Sequence, residues 1–272
     1  MKQNYEKQRS VLLVFLFILG ISTISIGQAN EAKKDSLIKL LKQDIEDTTR
    51  VNIYLNLSGL TSYQNLEQSE KYAKKALQLS KKINYYSGEF HCYHAVFKHH
   101  HLKGSPADSF LVAIQSMEKI AKYITDSSQF IVLHGDYAGY YSLINELDKN
   151  VKANIEALRL IKKFNPNPLY EGIILHNIGR NLKKLGDRKE GLAYFFKAAP
   201  LFGDNEYKGM NSLGIATTHY ELYDDIDTIQ IFVDEALAIF EKTNSTFGLI
   251  RTKQLKALFF RKKINQIRHC HY

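Results

Sequence analysis

Cysteine is scarce in this sequence: Cys92 and Cys270 are the only two among 272 residues. One lies in mid-chain and the other almost at the end, and this spacing predicts neither a disulfide framework nor a metal site. We expect two free thiols, with Cys92 as a small residue inside a helix. The alternative, in an oxidising compartment, is a single disulfide between them.

Catalytic motifs are also lacking. The sequence contains no Gly-rich phosphate loop and no nucleophile elbow, and no segment has the pattern of a strand that would hold either one. Serine, histidine and carboxylates are present, as in any chain of this length, but their spacing indicates no site. We therefore expect a protein that is not an enzyme and that has no cofactor.

The net positive charge comes from the two ends of the chain. The formal net charge is +9, of which residues 1–29 contribute +2 and the residues from Arg251 onward contribute +7. The body between them is neutral, which disfavours nucleic-acid binding because that binding depends on a basic field. The basic tail, residues 251–272, has two interpretations: contact with an anionic membrane surface, or a frayed end with no role. The second is favoured.

Long apolar runs are absent except at the N-terminus. Three basic residues precede a sixteen-residue apolar run from Val11 to Ile26, and small residues follow, which suits cleavage after Gly27 or Ala29. This pattern predicts a signal peptide over residues 1–29 and a periplasmic or secreted protein. The alternative is an uncleaved anchor, which is less favoured because a bilayer requires about 20 apolar residues.

A repeat of about 40 residues is the strongest positive signal in the chain. A small residue recurs late in helical apolar runs at intervals of 40, 41, 41 and 38, namely at Ala76, Ser116, Ala157, Ala198 and Ala236. Such a period is typical of stacked helical hairpins, each too small to bury its own apolar face. We predict an all-α, right-handed α-solenoid of five to six hairpins. We expect a lead-in helix over residues 30–47 and the repeat domain over residues 48–250. The basic tail, residues 251–272, is expected to be an incomplete repeat.

The fourth copy resembles the tetratricopeptide repeat. It reads Leu175-x2-Ile178-Gly179-x2-Leu182, then Gly186-Asp187, then Gly191-x3-Phe195-x2-Ala198. The small residues at Gly179, Gly191 and Ala198 allow the helices to approach, and large residues fill the gaps between them. The sequence departs from the family in having no tryptophan and a longer period. The resemblance implies a scaffold that binds a protein or peptide through its concave face.

The layout also resembles the exported repeat region of sensor histidine kinases and helix-turn-helix regulators of the Bacteroidetes. The segments Asp35-Ser36-Leu37 and Asp47-Thr48-Thr49-Arg50-Val51 carry this likeness, together with glycines where repeats begin. It implies the sensing part of a signalling system. The alternative is a truncated sensor region that has lost its output module.

A basic surface is predicted on the first helices of three repeats. By helical phase, nine polar side chains point away from the neighbouring helices, and in tetratricopeptide proteins that side lines the concave groove: His91, His94, Lys98, His101, His176, Arg180, Lys183, Lys208 and Asn211. Such a groove suits a carboxylate or an acidic peptide. Since imidazoles gain charge near pH 6, we expect tighter binding of an acidic ligand there. The alternative is a solvated face without a ligand.

The histidine-rich segment also invites a metal interpretation. His91, His94 and His101 share one helical face, with Cys92 adjacent. Zinc requires three or four ligands in tetrahedral geometry, and neither a carboxylate nor a zinc-enzyme signature accompanies these histidines. We expect no metal site.

Overall fold

The computed structural model describes residues 30–164, 167–223 and 225–269, with side chains up to Arg261. The predicted signal peptide and Cys270 lie outside the described residues. Within them, all regular secondary structure is helical and no strand is present. The all-α repeat fold expected from the sequence is confirmed. The described helices divide between two compact units, separated after Ser105.

The first unit contains four helices. The lead-in helix, α1, covers residues 30–40, and the other three are α2 (Asp47–Thr61), α3 (Leu66–Lys82) and α4 (Tyr86–Lys103). Helix α3 begins after Asn65, whose side chain accepts a hydrogen bond from the Gln68 amide. Gly104 directly follows the last residue of α4, and its positive φ of 61° suits glycine. Helix α2 packs on α3, and α4 packs on both, with Val51, Ala76 and Cys92 buried together.

The second unit contains the remaining eight described α-helices and one short 3-10 helix, Ala199–Leu201. The α-helices are α5 (Ala107–Ala121), α6 (Ser128–Leu143), α7 (Leu147–Phe164), α8 (Pro168–Leu185), α9 (Arg188–Ala198), α10 (Glu206–Leu222), α11 (Ile226–Lys242) and α12 (Thr246–His269). Consecutive helices pack on one another, and the first helices α8, α10 and α12 also contact each other in that order. This is the arrangement of stacked helical hairpins.

The glycine pair of the fourth copy has the role that its motif predicts. A Cβ atom on Gly179 would lie 2.7 Å from the carbonyl oxygen of Gly191, and a Cβ on Gly191 would lie 2.6 Å from that of Gly179. Helices α8 and α9 therefore touch backbone to backbone. Phe195 fills the adjacent space and is buried.

The expected division between residues 250 and 251 falls inside α12. This helix begins at Thr246 and continues through the basic segment to His269. Leu255 and Phe259 pack into a core cluster with Ala216, Ile229 and Val233. The first part of the basic tail is thus a helix attached to α10 and α11 through a buried apolar seam.

Candidate functional site

A cavity of about 470 Å³ opens among α1, α2 and α4 of the first unit. It contains three of the residues that the sequence assigned to a binding surface, His91, His94 and Lys98, because positions three or four apart share a face of a helix. His101, the fourth such residue on α4, is exposed and does not line the cavity. The volume is within the range of small-molecule ligand pockets, about 300 to 1,000 Å³.

The chemistry of the cavity is cationic and polar over an apolar base. Lys33 joins Lys98 and the two imidazoles, and the amides of Asn52 and Asn56 also line it. Apolar surface comes from three further residues, Leu55, Leu60 and Ala95. Among the described residues that line the cavity, none is an aspartate or a glutamate. This combination suits a carboxylate or phosphate group attached to an apolar body.

Sequence reasoning missed Lys33, which lies on the lead-in helix. Arg50 of α2 holds the end of this helix: its Nη1 donates to the Leu41 carbonyl at 2.9 Å and its Nη2 to the Gln43 carbonyl at 3.3 Å. These carbonyls belong to the turn that directly follows the last residue of α1, so the guanidinium ties the C-terminal end of this helix to α2. The guanidinium therefore fixes α1 beside α2, where Lys33 lines the cavity.

A buried polar network lies beside the cavity. His99 Nε2 is 2.8 Å from Ser69 Oγ, which is 3.0 Å from Ser58 Oγ and donates to the Ser58 carbonyl at 2.7 Å. Burial lowers the pKa of His99, opposed by the negative charge of Glu70 and reinforced by nearby cations, of which Lys103 has the largest effect. The neutral imidazole is therefore favoured. The network joins α2, α3 and α4, and Ser58 and His99 also line the cavity.

In the second unit, the predicted residues His176 and Asn211 are turned toward each other. His176 Nδ1 lies 3.1 Å from Asn211 Oδ1, and the Asn211 amide donates to the Phe195 carbonyl at 2.9 Å. Both side chains are buried, His176 being 8 % exposed. Burial lowers the pKa of His176 to about 4; the hydrogen bond that Nδ1 donates to Asn211 Oδ1 opposes this shift, and the positive charge of Arg180 adds to it. The pair connects α8 to α10 and is closed to a ligand in this structure.

Two predicted cations of the second unit are already paired with carboxylates. Lys183 Nζ lies 2.9 Å from Glu221, which also binds Arg188 at 3.0 Å. Lys208 Nζ lies 3.2 Å from Glu235. These pairs link residues on different helices, so helical phase alone could not reveal them.

Arg180 differs from these two lysines. The residue as a whole is exposed, although partial burial of the guanidinium lowers its pKa, and no carboxylate of the described residues is within ion-pair distance of it. Of the nine predicted residues, three therefore share the cavity of the first unit, two form a buried pair, two are neutralised, and His101 and Arg180 are solvent-facing.

The histidine-rich helix α4 was also considered as a metal site. In the stretches that the structure describes, no three His, Cys, Asp or Glu side chains are grouped to hold an ion. Cys92 is a buried free thiol, and burial raises its pKa to about 12, which disfavours the thiolate that binds metals.

We also examined whether any helix could span a membrane. Across residues 30–269, apart from the short gaps, none combines the length and apolar character that crossing a bilayer requires.

Comparison with solved structures places the chain among helical repeat proteins. Apo RapI superposes with a TM-score of 0.69 at 16% identity, covering 89% of this chain and 68% of RapI. BtubC from P. vanneervenii gives 0.66 at 12% identity, covering 80% and 91%. A signal transduction ATPase from Pyrococcus horikoshii with a tetratricopeptide repeat sensor gives 0.62 at 20% identity, covering 86% and 38%. These similarities show a tetratricopeptide-type fold. No family model and no curated protein matches the sequence.

Proposed function

We propose that this protein is a scaffold that binds a protein or peptide partner through the concave face of its repeats. The observation that carries the proposal is the cavity of the first unit, where Lys33, Lys98 and the imidazoles of His91, His94 and His99 converge without a carboxylate among the described lining residues. A tetratricopeptide-type fold supports the same function, since stacked hairpins present extended binding surfaces.

The partner is proposed to be acidic at the segment that enters this cavity. A carboxylate there would accept hydrogen bonds from the ammonium groups of Lys33 and Lys98 and from the amides of Asn52 and Asn56. An apolar side chain next to the carboxylate would cover Leu55 and Ala95. In this proposal His91, His94 and Lys98 contact the partner, while His176 and Asn211 position α8 against α10.

We further propose that the protein is exported after removal of residues 1–29 and is the sensing part of a signalling system. The basic start, the apolar run and the small residues at its end support export. The likeness of the segment around Asp35 and Asp47 to exported sensor regions supports the signalling role. Mass spectrometry of the protein recovered from the exported fraction tests the first point: a mature N-terminus at Gln28 or Asn30 is expected, and an intact Met1 contradicts it.

Binding is tested with a fluorescein-labelled eight-residue peptide of leucine and glutamate and with its counterpart in which every glutamate is glutamine. Fluorescence anisotropy is expected to show binding of the acidic peptide only. Lys98→Ala should weaken it about tenfold, since a charged hydrogen bond contributes about 1.5 kcal/mol or more. The control is Lys74→Ala on α3, an exposed lysine outside the cavity. Equal binding of both peptides, or equal loss in both variants, would reject the proposal.

A further inference from the structure

Helix α12 has two sides of different character. One side is buried against the preceding helices through Gly248, Thr252, Leu255 and Phe259. Its spacing of three or four residues is that of one face of a helix. The buried seam fixes the rotation of α12 on the second unit, so the side chains on its other side have a defined direction.

That other side carries large apolar residues in contact with solvent. Phe247 is 67 % exposed, Ile250 53 % and Leu258 54 %, and Phe260 is also exposed. Isolated exposed apolar residues are common and need no explanation, but a group on one helix face marks an interaction surface. We call the set Phe247, Ile250 and Leu258 the outer apolar patch of α12.

The sequence of α12 and the residues after it is strongly cationic. From Thr246 to the end of the chain there is no aspartate or glutamate, and there are seven Lys or Arg: Arg251, Lys253, Lys256, Arg261, Lys262, Lys263 and Arg268. Lys256 is paired with Asp234 at 3.0 Å. Within the described residues, Arg251, Lys253 and Arg261 form no ion pair, and Arg251 lies over the Phe247 ring at 5.5 Å.

We propose that α12 docks the protein on an anionic lipid surface, independently of the peptide-binding cavity. The outer apolar patch would enter the boundary between headgroups and acyl chains. The free cations would meet the lipid phosphates, which is the mode of interfacial basic amphipathic helices.

A bilayer fits this surface better than a protein partner does. Exposed apolar side chains and cations without an ion pair lie together on α12, as Arg251 over the Phe247 ring shows, and the long stems of Arg and Lys can lie along apolar surface while their charges reach the phosphates. A peptide helix, in contrast, is normally bound in an apolar groove. Since residues 30–250 are neutral, α12 is also where the positive charge of the folded chain is concentrated.

The test is co-sedimentation with vesicles of phosphatidylcholine alone or of phosphatidylcholine and phosphatidylglycerol at three to one. The protein begins at Asn30, which keeps every described helix and removes the N-terminal apolar run from the assay. We expect partitioning onto the anionic vesicles about tenfold stronger than onto the neutral ones, and loss of that preference in high salt. Equal partitioning onto both vesicles would overturn the proposal.

Matched variants separate α12 from the rest of the surface. The double variant Phe247→Ser and Leu258→Ser should lower partitioning about tenfold, whereas Val112→Ser, which changes a similarly exposed apolar residue on α5, should not change it.

Replacing Arg251, Lys253 and Arg261 by glutamine should abolish the preference for anionic lipid. The charge-matched control replaces three exposed lysines elsewhere by glutamine: Lys74, Lys82 and Lys184.

Two results in the variants contradict lipid docking. One is an equal loss in the charge-matched control, which would mean that only total charge matters. The other is unchanged vesicle partitioning in the α12 variants together with weaker binding of the acidic leucine–glutamate peptide, which would make α12 a peptide-docking surface. Circular dichroism of every variant checks that the helical fold is retained.

Discussion

His176 Nδ1 of α8 and Asn211 Oδ1 of α10 are joined by a buried hydrogen bond of 3.1 Å. The two residues belong to the first helices of consecutive hairpins, and the Asn211 amide continues the connection to the Phe195 carbonyl of α9. A neutral imidazole is required at this position, because a protonated ring would be buried with only one polar partner. This arrangement makes the seam between the two hairpins sensitive to acid.

Acidification should destabilise the protein through His176. Its folded-state pKa of about 4 is below the unfolded value of about 6.5. The unfolded state therefore binds the proton first, and stability that is complete above pH 6.5 decreases as the pH falls toward 4. The loss is on the order of 3 kcal/mol by linkage. Urea midpoints measured from pH 7.5 to 4.5 should fall steeply for the native chain and less steeply for His176→Gln. The exposed His101→Gln is the control, and parallel slopes in all three proteins would contradict this mechanism.

Backbone contact between α8 and α9 predicts a strong effect of a single methyl group. Gly179→Ala places a Cβ 2.7 Å from the Gly191 carbonyl oxygen, so the helices must separate, at a cost of about 1 to 3 kcal/mol. Gly135→Ala on α6 meets nothing within 4 Å and should stabilise by about 0.5 to 1 kcal/mol, because alanine is the better helix former. Urea unfolding at pH 7 measures both. A Gly179→Ala protein as stable as Gly135→Ala would show that the helices do not meet in this way.

The polar network beside the cavity predicts a local loss of stability. Ser69→Ala removes the hydroxyl that contacts both His99 and Ser58, and should cost about 1 to 3 kcal/mol because the buried His99 Nε2 loses its 2.8 Å partner and keeps only the longer contact of 3.4 Å with Ser58 Oγ. Ser116→Ala is the control, since its hydroxyl donates only to the Val112 carbonyl of its own helix. The unfolding midpoints should differ clearly, and equal midpoints would contradict the role given to Ser69.

The ion pairs of the second unit predict which lysine matters for an acidic ligand. Lys183 forms an ion pair with Glu221 and donates a hydrogen bond to Thr217 at 3.0 Å. Because its charge is already compensated, it should interact only weakly with an acidic partner. Lys183→Ala should change the affinity for the acidic leucine–glutamate peptide less than twofold, compared with about tenfold for Lys98→Ala. Anisotropy titrations measure both. A larger loss at Lys183 would move the binding surface to the second unit.

The burial of Cys92 predicts slow thiol chemistry. Desolvation raises its pKa to about 12, which leaves almost no thiolate at neutral pH. In a Cys270→Ser background, a disulfide reagent should react with folded protein orders of magnitude more slowly than with protein in urea. The absorbance of the released thiol measures the rate. Reaction of the folded protein at the unfolded rate would contradict the buried position of Cys92.

The sequence predicted the repeat fold well because its signals are local. The spacing of small residues indicated the helices, and the pair Gly179 and Gly191 indicated where two helices touch. Helical phase also brought His91, His94 and Lys98 to one cavity. Each of these inferences needs only the period of a helix or of a hairpin.

The remaining parts of the site depend on contacts between helices, which no local pattern encodes. Glu221 is 38 residues from Lys183 in sequence, and its position beside that lysine depends on how α8 and α10 are packed. Lys33 reaches the cavity because Arg50 holds the lead-in helix, a contact outside the repeat. His176 was expected to face away from its hairpin partner, but in the structure its ring lies 5.2 Å from the Phe195 ring of α9, and Asn211 of the next hairpin covers it as well.

The bond between His176 and Asn211 also means that these hairpins are not interchangeable modules. A slip by one residue, or replacement of either hairpin by another copy, would leave a buried imidazole facing an apolar side chain. Any attempt to lengthen, shorten or shuffle this chain should therefore transplant α8 through α10 as one block. Evolution by duplication of a single hairpin would face the same restriction at this junction.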